Sequence, residues 1–173
     1  MDNVLYVCYD NEAYMNTGIQ GSGATPLRAR TTTTPAGKPN YKKDMMEIAA
    51  AHNIPYAASA SAAYVNDLKK KVRKAKDTPG PSYLHIHTPC PTGWAFEPGL
   101  SIRVAKAAVE TGAWVLYEIE NGKRTINSKT DNLKPVEEYL KLQGRFKTMS
   151  EGDLKHIQQE IDLRIRRLKE TSG

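Results

Sequence analysis

The chain has 173 residues with a formal net charge of +6; 25% are charged and 39% hydrophobic, and two are cysteines. That length can bury a sizeable core as one folding unit, while no apolar run approaches the roughly 18 residues of a membrane span and no signal peptide is visible in residues 1–30. Two cysteines so far apart make no disulfide framework, which makes a reducing cytoplasm the expected compartment.

Residues 3–9, with the run Val4-Leu5-Tyr6-Val7-Cys8, read as a strand buried on both faces in a parallel sheet. Residues 10–40 are rich in Gly, Thr and Pro and lack apolar periodicity, the mark of a functional or disordered loop. Lys42 to His52 places Met45, Ile48, Ala49 and His52 at helical spacing, and Ile54 to Ala58 follows as a short strand. Ser61 is the expected cap of a helix to about Lys76, with Val65, Leu68, Val72 and Ala75 on one face. Pro79-Gly80-Pro81 stops it, and Ser82 to His87 reads as a strand ended by Pro89-Cys90-Pro91. Gly99 to Gly112 reads as a helix with Leu100, Val104 and Ala107/Ala108 inward and Gly112 at its carboxyl-terminal cap. Trp114 to Ile119 and Lys123 to Ile126, joined by Asn121-Gly122, read as a hairpin. From about Ser150, Leu154, Ile157, Ile161, Ile165 and Leu168 mark an amphipathic helix. The alternation implies an α/β fold with a mainly parallel sheet flanked by helices.

The positive charge gathers in Lys69-Lys70-Lys71, Arg73, Lys74 and Lys76, and in Arg164, Arg166, Arg167 and Lys169, all in helical segments. Basic helix faces on a soluble protein are ordinarily just solvated, so no nucleic acid partner and no membrane partner is expected. No Walker loop, GxGxxG fingerprint or Ser-His-Asp arrangement is recognisable.

The most informative segment is Tyr9-Asp10-Asn11-Glu12-Ala13-Tyr14-Met15-Asn16-Thr17-Gly18. Ligands of open α/β sheets bind at the carboxyl ends of strands. Mg²⁺ takes amide, carboxylate and carbonyl oxygens and commonly shares them with phosphates, which makes Asn11 and Asn16 candidates for a metal–pyrophosphate site. The plain alternative is a loop whose Asn and Asp side chains satisfy backbone donors. His85 and His87 share a strand face with metal-like spacing, and packed, hydrogen-bonded side chains are the expected reading for both.

Asp10 to Gln20 closely resembles the β subunit of the pyruvate:ferredoxin oxidoreductase family and its 2-oxoacid relatives. The likeness continues through Ala24-Thr25-Pro26, Thr31-Thr32-Thr33-Thr34-Pro35, Lys42-Lys43-Asp44-Met45 and His85-Ile86-His87-Thr88-Pro89-Cys90-Pro91-Thr92-Gly93-Trp94. It covers essentially the whole chain but only the carboxyl-terminal half or so of the family's subunit. The resemblance therefore implies a thiamine diphosphate-binding fold, incomplete at the amino terminus, over residues 1–145, followed by a helical tail over 146–173.

In that family Asn11 and the backbone oxygen of Ala13 match the Mg²⁺ ligands, and Asn16 and Thr17 match positions that contact thiamine pyrophosphate. Cys90 matches the last of four cysteine ligands of a [4Fe–4S] cluster. Cys8 is the expected apolar filler of its strand. Asp10 looks like a metal carboxylate, but the family takes that ligand from a Gly-Asp-Gly motif roughly one strand–helix unit upstream, so Asp10 is expected to fix the loop. Glu12 is not expected to be the general base. Thr31 to Thr34 and Lys38 lie on the long loop, to cover a site or meet a partner.

The implied activity is CoA-dependent oxidative decarboxylation of pyruvate, or of 2-oxoisovalerate, to the acyl-CoA. Electrons pass through iron–sulfur clusters to ferredoxin, and other subunits of a complex are the implied partners. The Gly-Asp-Gly motif and three further cysteines are not in this chain. Alone it is expected to bind the cofactor weakly or not at all, and a non-catalytic remnant or half-subunit with an associating role is the alternative.

Overall fold

Five strands, β1 (Leu5–Asp10), β2 (Tyr56–Ser61), β3 (Ser82–His87), β4 (Tyr117–Glu120) and β5 (Lys123–Ile126), form one sheet in a computed structural model that describes residues 2–172. Met1 and Gly173, the outer ends of the two units expected from the sequence, lie outside the described residues. The sheet order is β1-β3-β2-β4-β5. The first three strands are parallel, and β4 and β5 continue as an antiparallel hairpin. The α/β reading holds, with the parallel part confined to one half of the sheet.

The edge position of β1 corrects the expectation of a doubly buried strand. It has a strand neighbour on one side only, and Tyr6 and Tyr9 are 65% and 70% exposed while Asp10 at its end is buried. The central strands β2 and β3 are buried along their whole length. One face of the sheet carries the larger core, which includes Ala57, Tyr83, Trp94, Trp114, Tyr117 and Ile119. Helix α2 (Val65–Asp77) covers the other face over β2 and β3, where Ala58, Ala60, Leu84 and Ile86 gather.

Helix α1 (Met45–Ala51) starts later than expected because the Asp44 carboxylate accepts the amides of Met46 and Glu47. That start sets its phase: Met46 is buried, whereas Ile48 and His52 are exposed. Ser61 does not cap α2. It ends β2, and Tyr64 precedes the helix without a side-chain cap. Val65 and Val72 are exposed, because Lys71 occupies the middle of the inward face at 2% exposure. Its ammonium donates to Ser59 O and to the Asp67 carboxylate, both at 2.8 Å, so the buried charge is paired and hydrogen-bonded.

The chain after β3 forms the short helix α3 (Pro91–Trp94), which the sequence did not signal. Helix α4 (Ser101–Glu110) lies within the expected range, with Val104 and Ala108 buried. The expected strand from Trp114 narrows to Tyr117–Glu120; Trp114, Val115 and Leu116 are buried but irregular. A second short helix, α5 (Glu137–Leu140), was likewise unsignalled. Helix α6 (Glu151–Glu170) begins with a capping box between Ser150 and Asp153 and buries Ile161, Ile165 and Leu168 in the main core.

The unpaired outer edge of β1, flanked by Val4, Tyr6 and Tyr9, is a template for strand pairing. The chain is expected to self-associate with concentration in analytical ultracentrifugation, and a sharp monomer throughout would count against it. Gly112 sits at φ +72°, where a Cβ would lie 2.6 Å from Ile165 Cδ1 and 2.9 Å from Leu133 Cδ1. Gly112→Ala should therefore cost about 2 kcal/mol in urea unfolding. Gly122→Ala, with the same sign of φ but open space around it, should cost visibly less.

Candidate functional site

Because β1 and β3 are adjacent and parallel, the segments leaving their carboxyl ends emerge side by side. The turn of Asn11 to Gly18 follows β1, and the Cys90 loop follows β3. Asn11 and Ala13 are half-buried, and Asn16 and Thr17 are exposed. The Asn11 Oδ1 lies 3.4 Å from the Ala13 amide. Thr17 closes a local loop with Gln20, each side chain bonding to the other residue at 2.6 Å. Cys90 is half-buried at the amino-terminal cap of α3.

Behind this turn lies a buried cluster of charge. Asp10 bonds the Glu12 amide at 2.9 Å through Oδ1, and its Oδ2 meets His85 Nε2 at 2.7 Å and Lys42 Nζ at 2.6 Å. Glu12 is bound by Lys42 at 2.8 Å and by Arg145 at 2.5 Å. Burial alone would push both carboxyls up. The His85 bond and Lys42 outweigh it at Asp10, and Lys42 then Arg145 at Glu12, so both are held below the ordinary carboxylate range. Glu12 is thus a paired structural anion. Asp10 fixes the loop, as expected, and neither carboxylate is turned toward the Asn11 side chain.

Glu12 adopts φ +66°, a left-handed backbone held by its neighbours. Thr25 Oγ1 donates to Glu12 O at 2.6 Å, and the Trp94 indole N–H donates to Asn11 O at 2.7 Å. The long segment 10–40 is ordered in the same manner. Thr32 Oγ1 donates to Gly18 O at 2.8 Å, and the Gly21 amide donates to Thr33 Oγ1 at 2.9 Å. Lys38 Nζ donates to Ser22 O at 2.9 Å and Thr25 O at 2.7 Å. The threonine run and Lys38 therefore build the loop itself.

His85 and His87 are both buried, in line with the packed reading. Cys8 packs against the core but also faces His85 across the ladder, and that imidazole is the main cause holding its thiol below the ordinary value. A cavity of about 500 Å³ opens behind the loop, lined by Glu12, Leu27, Lys42, Tyr139, Phe146 and Arg164 among others; none of Asn11, Asn16, Thr17 or Cys90 lines it.

The donor set fits part of a Mg²⁺–pyrophosphate site. It offers the neutral Asn11 amide oxygen and the Ala13 carbonyl, which accepts no hydrogen bond among the described residues. A divalent ion held by two neutral oxygens also needs anionic ligands, which phosphates and a carboxylate supply. Among the described residues no group of three or more His, Cys, Asp or Glu side chains is placed to hold a metal ion. Cys90 fits a cluster as one thiolate of four. Trp94, Arg145 and Lys42 escaped the sequence reading as site residues; an aromatic directly after the Cys90 loop was the one available signal.

The buried histidine carries a pH signature. Burial pushes His87 down to about 4 from an ordinary 6.5. Across that window the unfolded chain takes up a proton that the fold refuses, so stability falls as pH falls, by about 3 kcal/mol in all. His85 is raised, because its Asp10 bond outweighs burial, so its contribution is lost only as pH rises above 6.5. Thermal melts should therefore drop between pH 6.5 and about 4, and His87→Gln should flatten the drop.

Comparison with known proteins shows the family. The family model described as thiamine pyrophosphate enzyme, C-terminal TPP binding domain, matches residues 1–86. The pyruvate synthase subunit PorB of Methanothermobacter thermautotrophicus is 51% identical over 165 residues, covering 92% of this chain and 57% of that protein. The ketoisovalerate oxidoreductase subunit VorB of Pyrococcus abyssi is 48% identical over 174 residues, covering 96% and 56%. A solved 2-oxoglutarate:ferredoxin oxidoreductase from Magnetococcus marinus, with 2-oxoglutarate, coenzyme A and succinyl-CoA bound, superposes with a TM-score of 0.50 at 29% identity, over 52% of this chain and 31% of that one. The chain spans little more than half the length of these curated relatives. It belongs to the family of 2-oxoacid:ferredoxin oxidoreductase β subunits that includes PorB and VorB.

Proposed function

We propose that the chain is part of a CoA-dependent 2-oxoacid:ferredoxin oxidoreductase that converts pyruvate to acetyl-CoA, with 2-oxoisovalerate as the next candidate substrate. The observation that carries this reading is the Asn11–Ala13 turn, presenting neutral oxygens at the end of β1 directly beside the Cys90 loop of β3. Thiamine pyrophosphate, when bound, would supply a carbon nucleophile toward the keto carbon of the 2-oxoacid. Asn11 Oδ1 and Ala13 O hold the Mg²⁺, Asn16 and Thr17 contact the cofactor, and Cys90 gives one thiolate to a [4Fe–4S] cluster. The Asp10–Glu12–Lys42–Arg145 cluster keeps the turn rigid, and the buried Trp94 indole anchors the Asn11 carbonyl to the core. The remaining ligands come from residues outside this sequence, and ferredoxin and CoA act on the assembled complex in the cytoplasm. Among the described residues no helix is long and apolar enough to cross a membrane.

The inward orientation of both nearby carboxylates supports a second reading for the isolated chain, a half-subunit with an associating role only. Anaerobic calorimetric titration with Mg²⁺ and thiamine pyrophosphate separates them. The chain is titrated alone and then together with the amino-terminal part of the relatives' subunit. Binding is expected only in the mixture, weakened about tenfold or more by Asn11→Ala as one ligand is lost. No binding in either case would make the chain a structural element without the cofactor chemistry.

A further inference from the structure

Trp94 bonds to both candidate sites. It is fully buried, its backbone N–H donates to Cys90 O at 2.9 Å, and its indole N–H donates to Asn11 O at 2.7 Å. The Arg145 guanidinium lies over the ring, 3.8 Å from its centroid, and is itself tied to Glu12, the residue after Asn11. A second contact runs alongside. A methyl group at Gly93 would overlap the Met15 thioether and lie 3.6 Å from Cys90 Sγ, so Met15 of the turn seats in the notch that Gly93 leaves beside the thiol. Close-packed elements joined in this way move together or not at all.

We propose that Trp94 is a positioning residue that couples the Asn11 turn to Cys90, so that cofactor binding at the turn changes the setting and reactivity of the cysteine. The inference rests on the thiamine reading of Asn11 and goes beyond it by naming the link between the two sites. Asn11 offers its side-chain oxygen to the metal and its main-chain oxygen to the indole. A ligand that draws on the first shifts the second, and through it the turn of α3 that carries Cys90. Coupling of this kind is reciprocal: whatever fixes Cys90 also sets the affinity of the turn.

The test uses the chain assembled with the rest of its complex, freed of clusters by anaerobic chelation. Alkylation of Cys90 by iodoacetamide is followed by mass spectrometry with and without saturating Mg²⁺ and thiamine pyrophosphate, and cofactor binding is measured separately by calorimetry. In the wild type the cofactor should slow Cys90 by about tenfold while leaving Cys8 unchanged. Trp94→Phe keeps a ring under Arg145 while removing the N–H donor together with part of the indole's buried volume. In this variant the cofactor should still bind, more weakly, and Cys90 should respond less than about twofold. A general loss of structure would move Cys8 as well, which separates coupling from unfolding. An equal Cys90 response in Trp94→Phe, or no response in a wild type that demonstrably binds the cofactor, overturns the coupling alone. Absence of cofactor binding in the wild type overturns the thiamine reading and the coupling with it.

Discussion

The buried ion cluster around Glu12 is the constraint on which the site depends. Asp10 comes from the end of β1, Lys42 from the segment before α1, and Arg145 from the segment between α5 and α6. A charge taken out of water is tolerable only when paired and hydrogen-bonded, and removing one partner of such a pair costs about 3–5 kcal/mol. Each of these segments is therefore held by the others. The left-handed backbone of Glu12 is a consequence: the residue adopts it because its carboxylate must meet Arg145 and Lys42 while its carbonyl meets Thr25.

The same pairing decides what the turn offers to a ligand. With both carboxylates directed inward, the outer surface of the turn shows amide and carbonyl oxygens and no formal charge. Such a surface suits an ion that arrives with its own anions, as a metal–pyrophosphate does. It also explains why Asp10 and Glu12, the two carboxylates of the turn, do not assemble a metal site from the described residues alone.

Much of the scaffold was legible in the sequence where local signals bracket an element. Pro79-Gly80-Pro81 and Pro89-Cys90-Pro91 delimit β3 to the residue, five apolar positions at helical spacing define α6, and Asn121-Gly122 marks the hairpin turn. Lateral position was not legible: a run of apolar residues reads alike at the edge and in the centre of a sheet, and β1 proved to be the edge. Burial of Lys71 escaped for the converse reason, since a charge in a helix reads as solvated unless its partner in another strand is known. In the site, Asn11 and Cys90 were readable as individual residues. Their adjacency depends on sheet order, and the bond between Arg145 and Glu12 spans 133 residues, beyond the reach of any local pattern.

Lys38 gives the long loop an unusual kind of hub. Its ammonium is ringed by the carbonyl oxygens of Ser22, Gly23, Thr25 and Tyr41, much as a bare cation would be, yet it is covalently attached to the chain it organises. A captive ion of this sort cannot be diluted, exchanged or chelated away. The order of the loop is therefore independent of any supply of free cations. It yields only to chemistry on the nitrogen itself: acylation removes the charge and two of the three donors, and a planar guanidinium cannot spread its donors around the same ring of oxygens.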